Sequence, residues 1–555
     1  MTRGITLAAT LLCLAVSGCG TTSTSSTKAH PQIFEDMGDY DHSFTTSSEE
    51  ADEYLIQGRI WTQAFNYDEA TRSYREAARL DPDCAMAWWG VAYSEGPSYN
   101  HPEMTPERQA ASWEAIQNAL ALIDNTTPLE RALIEALQHR FANPYPEEHA
   151  ELDEAYADAM GEVWEQYPND ADVGMLYAEA RMVLRPWQLY NEDREPAEGT
   201  LEIEALLERV LALDPDLPGA CHLYIHAVEL SETPERGLPA ANRLSTHVPL
   251  SGHLLHMPAH IYTRTGDWDR AREQNALAME ADDRYRAKSP DQITQHMYMV
   301  HNSHIRAYAS MMTGHEAEAM HASRKMWSDI PDDKLELVAP HVDAWMCSVY
   351  DVQKRFGRWD ELLAEPPPPE YMPFTSAMWR AHRAIAYAAK HEFEAAEREL
   401  AAYHEICDNI QAEDLVPRIT VEAARGRLSV IEHFVPGEIA LQRGDLDLAI
   451  EHLEKAVEAE DKLGYNGEPP DYLQPIRHTL GAVYLKAGRL EDAERAYRED
   501  LAEFPGNGWS LYGLGRVLRS QGRTAEAEQV EEEFARAWSG ADEPITTSCM
   551  CIPTI

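Results

Sequence analysis

The sequence predicts an all-α fold made of repeated helix pairs. Small residues, aromatic residues and prolines recur at matching spacings near both ends of the chain. The N-terminal set is Gly58, Ala70, Tyr74, Ala77 and Pro82. The C-terminal set is Leu480, Gly481, Tyr484, Ala493, Tyr497 and Pro505. No stretch alternates apolar and polar residues for long enough to support a sheet, so helices are the expected element.

Each position of this pattern has a physical reason. Small residues let paired helices approach closely, aromatic side chains fill the gap between them, and proline stops the second helix. Gly266, Gly314 and Gly444 mark further helix-pair turns. The pattern resembles the tetratricopeptide repeat family over nearly all of residues 51–538. The resemblance implies a right-handed superhelical solenoid of about 10–12 helix pairs.

Irregular insertions interrupt the repeats. Closely spaced prolines cannot enter the interior of a helix, so proline-rich stretches are expected to form loops. These stretches are 97–105, 185–196, 365–369 and 466–470. The predicted division places N-terminal repeats at 51–215, histidine-rich central repeats at 216–360, C-terminal repeats at 361–538 and a tail at 539–555. We assign no function to Cys549 and Cys551 in that tail.

Charge excludes one class of partner. The 555-residue chain has a formal net charge of −48, whereas a nucleic-acid-binding protein needs a basic surface. We therefore expect no nucleic acid among its ligands. The partner that the repeats suggest is a protein or peptide held in the concave groove.

The first residues have the composition of a targeting segment. Arg3 precedes an apolar stretch at 5–16, and the small residues of 16–18 lead to Cys19. This ending resembles the lipobox of bacterial lipoproteins. The resemblance implies a signal peptide at 1–18, lipidation of Cys19, a flexible tether at 19–50, and attachment to the outer membrane on its periplasmic face. An ordinary secretory signal or a signal anchor is the alternative.

Histidines are concentrated in the central repeats. Residues 222–304 contain nine of the 23 histidines, whereas an even spread would give between three and four. Seven of them form three sets with related spacings. The sets are His222 and His226; His253, His256 and His260; and His301 and His304. Because successive helical residues rotate by about 100°, each set lies on one face of a helix.

The register of the repeats places these sets side by side. In the tetratricopeptide family, first helices line the groove, and the slots three before and one after the small residue face the ligand. His256 and His260 occupy those slots around Ala259, and His222 and His226 occupy them one repeat earlier. His304 and Tyr308 occupy them one repeat later. The sequence therefore predicts imidazoles converging from neighbouring helices.

Converging imidazoles indicate a transition metal. An all-histidine site suits copper, iron or zinc rather than calcium or magnesium. The predicted ligands are His222, His226, His253, His256, His260, His301 and His304. Glu229 is a candidate ligand, general base or acceptor for a ligand N–H, and Tyr308 a candidate acid/base or radical partner. A histidine-lined groove for an organic or peptide ligand, or plain helix packing, are the alternatives.

The predicted function is a lipid-anchored extracytoplasmic repeat protein with a histidine-rich metal site, acting as a metal-dependent oxidase, oxygenase or hydrolase. The alternative is a non-catalytic scaffold for protein interactions or metal sequestration at the cell envelope. The residues alone do not decide between these two functions, because this fold hosts many tasks.

Overall fold

The computed structural model describes residues 30–38, 40, 42–191, 194–290, 292–410, 421–463, 473–542 and 544–552. The predicted signal peptide, Cys19 and the proline-rich stretch 466–470 lie outside these residues. The described part contains helices and no strand, with one isolated antiparallel bridge between Tyr190 and Pro196. None of its helices combines the length and apolar character needed to cross a membrane. The predicted all-α class is confirmed.

The helices follow one another along the chain. They are α1 (Glu49–Gln63), α2 (Tyr67–Leu80), α3 (Ala85–Glu95), α4 (Pro106–Ala121), α5 (Pro128–Leu137), α6 (Ala150–Gln166), α7 (Ala171–Val183), α8 (Thr200–Leu213), α9 (Pro218–Val228), α10 (Leu238–His247), α11 (Gly252–His256), α12 (Pro258–Arg264), α13 (Trp268–Lys288), α14 (Ile293–Met312), α15 (Glu316–Asp329), α16 (Asp332–Met346), α17 (Ser348–Arg355), α18 (Trp359–Ala364), α19 (Pro373–Ala389), α20 (Phe393–Asn409), α21 (Val421–Arg443), α22 (Leu446–Leu463), α23 (Ile476–Lys486), α24 (Leu490–Glu503), α25 (Gly508–Ser520) and α26 (Thr524–Ala537).

Local sequence sets where helices begin. Ser48 and Asn66 precede α1 and α2, and their side chains accept hydrogen bonds from backbone N–H groups of the first turn. Thr127 and Glu130 form a reciprocal capping box at the start of α5. These side chains satisfy donors that a helix N-terminus leaves without intrahelical partners.

Consecutive helices pack as pairs, and the pairs stack. The closest pairs include α1 with α2, α14 with α15, α19 with α20, α21 with α22, and α23 with α24. Stacking brings the first helix of one pair against the first helix of the next, as with α1 and α3, α19 and α21, and α23 and α25. This is a solenoid of helix pairs.

Glycine and tyrosine make the stacking possible at both ends. The Tyr74 ring lies between α1 and α3, so close to Gly58 that an added Cβ there would meet the ring at 2.8 Å. Tyr497 lies in the same way beside Gly481, with a corresponding distance of 2.5 Å. Since real Cβ contacts are longer, the pairs can stack at this spacing only with glycine. The packing roles predicted from the repeat pattern are confirmed.

The solenoid winds back onto itself. Glu69 of α2 accepts hydrogen bonds from Tyr285 and Ser289, at 2.9 and 2.8 Å, so the first pair contacts the region around the end of α13. On the other side, the Trp268 indole donates to the Pro505 carbonyl at 2.7 Å, and the Trp509 indole to the Met311 carbonyl at 2.8 Å. The central helices are therefore enclosed by both ends of the repeat array.

The stretch before α1 differs from the expected flexible tether. From residue 30 onwards it lies against the helices and buries Phe34, Met37 and Phe44. The Phe34 N–H donates to the Gln57 side chain at 2.8 Å. Its composition is polar and rich in Ser and Thr, but the three apolar side chains anchor it to the repeats.

Candidate metal centre

Four helices of the central repeats carry the candidate ligands. His222 and His226 lie on α9, four residues apart and therefore on one face. The second set was expected on one continuous helix. The helix is instead interrupted at Met257, because Pro258 has no N–H to continue its hydrogen-bond pattern. His253 and His256 lie on α11, His260 lies on α12, and His301 lies on α14.

Two groups of three imidazoles result. The first comprises His222, His226 and His253, whose nearest ring nitrogens all lie within 4.8 Å of one another. The second comprises His256, His260 and His301, within the same limit. We call these trio A and trio B. Either could hold one metal ion, since three nitrogens at about 2.0–2.1 Å from an ion lie well within this spacing.

The two trios adjoin. The rings of His253 and His256 have centroids 5.9 Å apart, and so do the rings of His226 and His260. All of these histidines are buried except His301, which is partly exposed. Solvent therefore reaches the pair of trios most directly beside His301.

Hydrogen bonds orient the imidazoles. His222 Nδ1–H donates to the Gln63 carbonyl oxygen at 2.8 Å, at the C-terminal end of α1. His256 Nδ1 lies 2.8 Å from Oδ1 of Asn275, whose amide nitrogen donates to the Ala271 carbonyl. Because that amide already donates, its oxygen is the acceptor for His256. In both rings the proton is held on Nδ1, so Nε2 carries the lone pair.

Glu229 joins the two trios. Its Oε1 accepts from His226 Nδ1 at 3.0 Å, and its Oε2 accepts from His260 Nδ1 at 2.7 Å. Glu229 itself is buried at the end of α9. Of the three roles considered for this residue, the geometry matches an acceptor that orients ligand rings. With both oxygens engaged by imidazole donors, the carboxylate is poorly placed to act as a ligand or a general base.

The contact between His256 and His260 indicates a site for a cation. Their Nε2 atoms lie 2.7 Å apart. Since each Nδ1 donates to an acceptor of the protein, both Nε2 atoms carry lone pairs. Two lone pairs at this distance repel unless a proton or a metal ion lies between or beside them.

His253 gives the second indication. It is only 7% exposed, and neither of its ring nitrogens has a hydrogen-bond partner. Burial, with further contributions from the imidazoles of His222 and His256, holds the His253 pKa well below its usual value, so the ring is neutral. An unsatisfied buried polar group costs about 1–3 kcal/mol. A metal ion in trio A would satisfy one of these nitrogens.

Aromatic side chains wall the trios. Phe65 lies 4.2 Å from His222 between ring centroids, and Trp187 lies 5.2 Å from His226, edge to face. Both have left-handed backbones, with φ of 55° and 61°. That conformation is strained for a bulky residue and is found mainly where surrounding structure enforces it. Trp187 is 38% exposed, and the Trp345 ring lies 5.3 Å from that of His301, tilted by 38°.

The two remaining predicted residues, His304 and Tyr308, are not members of either trio. His304 is buried on α14 and contacts Trp345, at 6.0 Å between ring centroids, and is not a member of either group of three. Tyr308 packs its ring edge-on against Trp268 in the core, at 5.4 Å.

Several contributors to the site gave no signal in the sequence. Gln63 acts through its backbone carbonyl and lies 159 residues from His222, so neither its residue type nor its position could indicate the contact. Phe65 and Trp187 follow the ends of α1 and α7 and look like ordinary apolar residues of turns. Asn275 offered a weak signal, as a polar residue on a face of α13 that packs against α11.

Repeated helix pairs around an enclosed concave side define this chain as a helical-repeat solenoid protein. A sequence profile of the tetratricopeptide repeat matches residues 63–95 and 478–542. The chain therefore contains tetratricopeptide repeats near both ends of its helical region. The resemblance inferred from the sequence is confirmed.

Comparisons with other proteins add little beyond this. A search of curated proteins finds no match. Among solved structures, the human IFIT1 dimer with PPP-AAAA is 15% identical, covering 88% of this chain and 91% of that one, with a TM-score of 0.31. The Cut9 and Hcn1 hetero-tetramer of the APC/C is 14% identical, covering 89% and 74%, with a TM-score of 0.28. Naa15/Naa10 bound to HypK-THB is 12% identical, covering 89% and 90%, with a TM-score of 0.25.

Proposed function

We propose that this repeat protein binds two transition-metal ions, one in trio A and one in trio B. The observation that carries the proposal is the orientation of the rings. Four of the six imidazoles are fixed at Nδ1 by acceptors of the protein. Metal-binding histidines usually donate their other ring N–H in this way.

The donor set favours copper, iron or zinc. It consists of neutral imidazoles, which suit these ions better than calcium or magnesium, and the affinity order of divalent ions places copper first. Three protein ligands leave each ion with at least one open coordination position. Because the trios adjoin, two bound ions could act together on one small molecule.

The chemistry that fits is that of a metal-dependent oxidase, oxygenase or hydrolase. When bound, the ions would supply Lewis acidity or redox chemistry at their open positions. The chain itself contributes orientation and exclusion of water. Glu229 holds one ring of each trio, and Phe65 and Trp187 cover the imidazoles of α9.

Metal analysis tests the proposal. Protein purified without an affinity tag and reconstituted with Cu²⁺, Fe²⁺ or Zn²⁺ should retain about two ions per chain, with release of protons on binding. His226→Ala and His260→Ala should each reduce the content to about one. His321→Ala is the matched control, since His321 is exposed on α15. Retention of less than about 0.2 ions by the folded wild-type chain would refute the proposal.

A protein-binding role is the second candidate, and the matched tetratricopeptide repeats favour it. In that case the chain is a scaffold, and the metal ions stabilise the central repeats. Removal of metal by a chelator separates the two roles. After metal removal, a scaffold should lose thermal stability but still bind its partner. An enzyme should lose its catalytic activity, while its binding of a protein partner should not change.

We also propose that the chain is anchored by lipid at Cys19, on the strength of the lipobox-like ending at 16–19. The anchored protein would reside at the outer membrane, facing the periplasm. Cys19→Ser should move the full-length protein from the membrane fraction to the soluble fraction. A variant that still sediments with membranes contradicts the lipid anchor.

A further inference from the structure

The C-terminal tail occupies the interior of the C-terminal repeats. Its residues 547–549, 551 and 552 are buried. Ser548 Oγ donates to the His478 carbonyl at 2.9 Å and shares a hydrogen bond of 2.6 Å with the Tyr497 hydroxyl. Gln442 donates to the Cys551 carbonyl at 2.7 Å. Groups of α21, α23 and α24 thus hold a short non-helical segment in place.

This segment brings two cysteines to a buried carboxylate. Cys549 and Cys551 are joined by a disulfide in this structure. Their sulfur atoms and an oxygen of Glu438 all lie within 4.8 Å of one another. Glu438 is fully buried on α21, and its Oε2 has no hydrogen-bond partner. A buried carboxylate oxygen without a partner is costly, and it lies beside two soft donor atoms.

We propose that the reduced form of the tail binds one zinc-type d¹⁰ divalent ion through Cys549, Cys551 and Glu438. Two thiolates and one carboxylate are a donor set that zinc accepts, at about 2.3 Å to sulfur and 2.0–2.2 Å to oxygen. An oxygen of Glu438 lies within 4.8 Å of both sulfurs. Once the S–S bond is cleaved, the two sulfurs must move to about 3.8 Å apart to bind one tetrahedral ion at these distances. Thr479 Oγ1 lies 3.4 Å from Cys549 Sγ and donates to it, which orients that sulfur.

Charge balance supports exchange between the disulfide and the metal form. The buried ammonium group of Lys354 attracts the Glu438 carboxylate electrostatically. A divalent ion with two thiolates has no net charge, and neither has a disulfide. Replacing one by the other therefore adds no net charge to this interior, where an uncompensated charge would be strongly destabilising.

The exchange requires a reductant. A phosphine reduces the disulfide by taking the oxygen of one water molecule, and the two electrons and two protons convert the S–S bond into two S–H groups. The incoming divalent ion then displaces both thiol protons to solvent. The oxidised tail has no thiolate to offer and does not bind the ion through sulfur.

Cadmium provides the readout, because thiolate-bound Cd²⁺ absorbs in the ultraviolet through sulfur-to-metal charge transfer and imidazole-bound Cd²⁺ does not. The full chain, reduced with a phosphine and freed of excess reagent, should develop this band up to about one equivalent of Cd²⁺. The oxidised chain should show none. The signal is independent of trios A and B, so failure of either metal proposal is seen separately.

Variants complete the test. Cys549→Ser and Cys551→Ser should each abolish the band, and Glu438→Gln should weaken Cd²⁺ binding at least about tenfold. Cys407→Ser, which alters a partly buried cysteine of α20, is the control and should leave the band unchanged. Circular dichroism verifies that each protein is folded. The proposal is overturned if the reduced wild-type chain gives no band, if the band survives Cys551→Ser, or if Glu438→Gln binds as tightly.

Discussion

Replacing Glu229 by glutamine isolates the group that links the two trios. The carboxylate accepts two N–H groups, from His226 at 3.0 Å and His260 at 2.7 Å. A glutamine keeps one acceptor oxygen, but its amide nitrogen faces the second imidazole N–H. That imidazole must then move its proton to Nε2, which removes the lone pair that would bind metal.

The size of the effect follows from this tautomer change. Loss of a partner that orients a ligand typically weakens metal binding by about 10–100-fold, or about 1.4–2.7 kcal/mol. Only one of the two rings meets the amide nitrogen in any one rotamer. We therefore expect Glu229→Gln to bind one ion with nearly normal affinity and the other at least about tenfold more weakly.

Titration against a chromophoric chelator measures both affinities on the metal-free protein. Glu69→Gln is the matched control, because Glu69 is equally buried and accepts hydrogen bonds from Tyr285 and Ser289, and none of its contacts in the described part of the chain is with a histidine of either trio. Both variants should lose some stability. If Glu229→Gln binds two ions as tightly as the wild type, or if the control weakens binding equally, the assigned role of Glu229 is wrong.

Three further predictions concern single side chains. His253→Ala should lower the metal content of the reconstituted chain by about one ion, while His304→Ala should not, as measured by elemental analysis; equal losses would contradict the grouping into trios. Gly58→Ala should destabilise the protein by about 1–3 kcal/mol in urea unfolding, because its Cβ would meet a tyrosine ring, whereas Gly515→Ala should be nearly neutral; similar effects at both sites would contradict the packing argument. Asp282→Asn should raise the melting temperature, and by more at pH 8 than at pH 5. An increase in melting temperature that is independent of pH would contradict the raised pKa of Asp282.

The sign of the Asp282 effect follows from its pKa. Burial raises the pKa of this carboxyl group to about 8, and the hydrogen bond from Asn302 at 2.8 Å opposes the rise only in part. In the unfolded chain the pKa is about 3.9. Between these values the unfolded state loses its proton and the folded state keeps it. Stability therefore falls by about 1.4 kcal/mol per pH unit as pH rises from about 4 to about 8, and asparagine removes this loss.

Much of the fold follows from local sequence. The glycine, tyrosine and proline positions report contacts within one or two helix pairs, so Gly58 and Tyr74 could be recognised without knowledge of the rest of the chain. The return of the solenoid onto itself could not be recognised in this way. It rests on contacts such as Tyr285 with Glu69 and Trp509 with Met311, which join residues about 200 positions apart.

The candidate metal centre, too, was predictable from local sequence only in part. The spacing of four on α9 and the shared register identified six histidines that the structure brings together. Their division into two groups of three was not predicted, because it depends on the helix break at Met257 and on where α14 crosses α11. The contact of Gln63 with His222 depends on the winding of the whole solenoid and has no local signal.

The most direct test of the account is the position of metal in crystals of the reconstituted protein. Anomalous diffraction at the absorption edge of the bound element should give two peaks. One should lie about 2.0–2.1 Å from the Nε2 atoms of His222 and His226, and the other at the same distance from those of His256 and His260. Crystals of the reconstituted chain that show no peak at either trio, or peaks only elsewhere, would contradict the central claim.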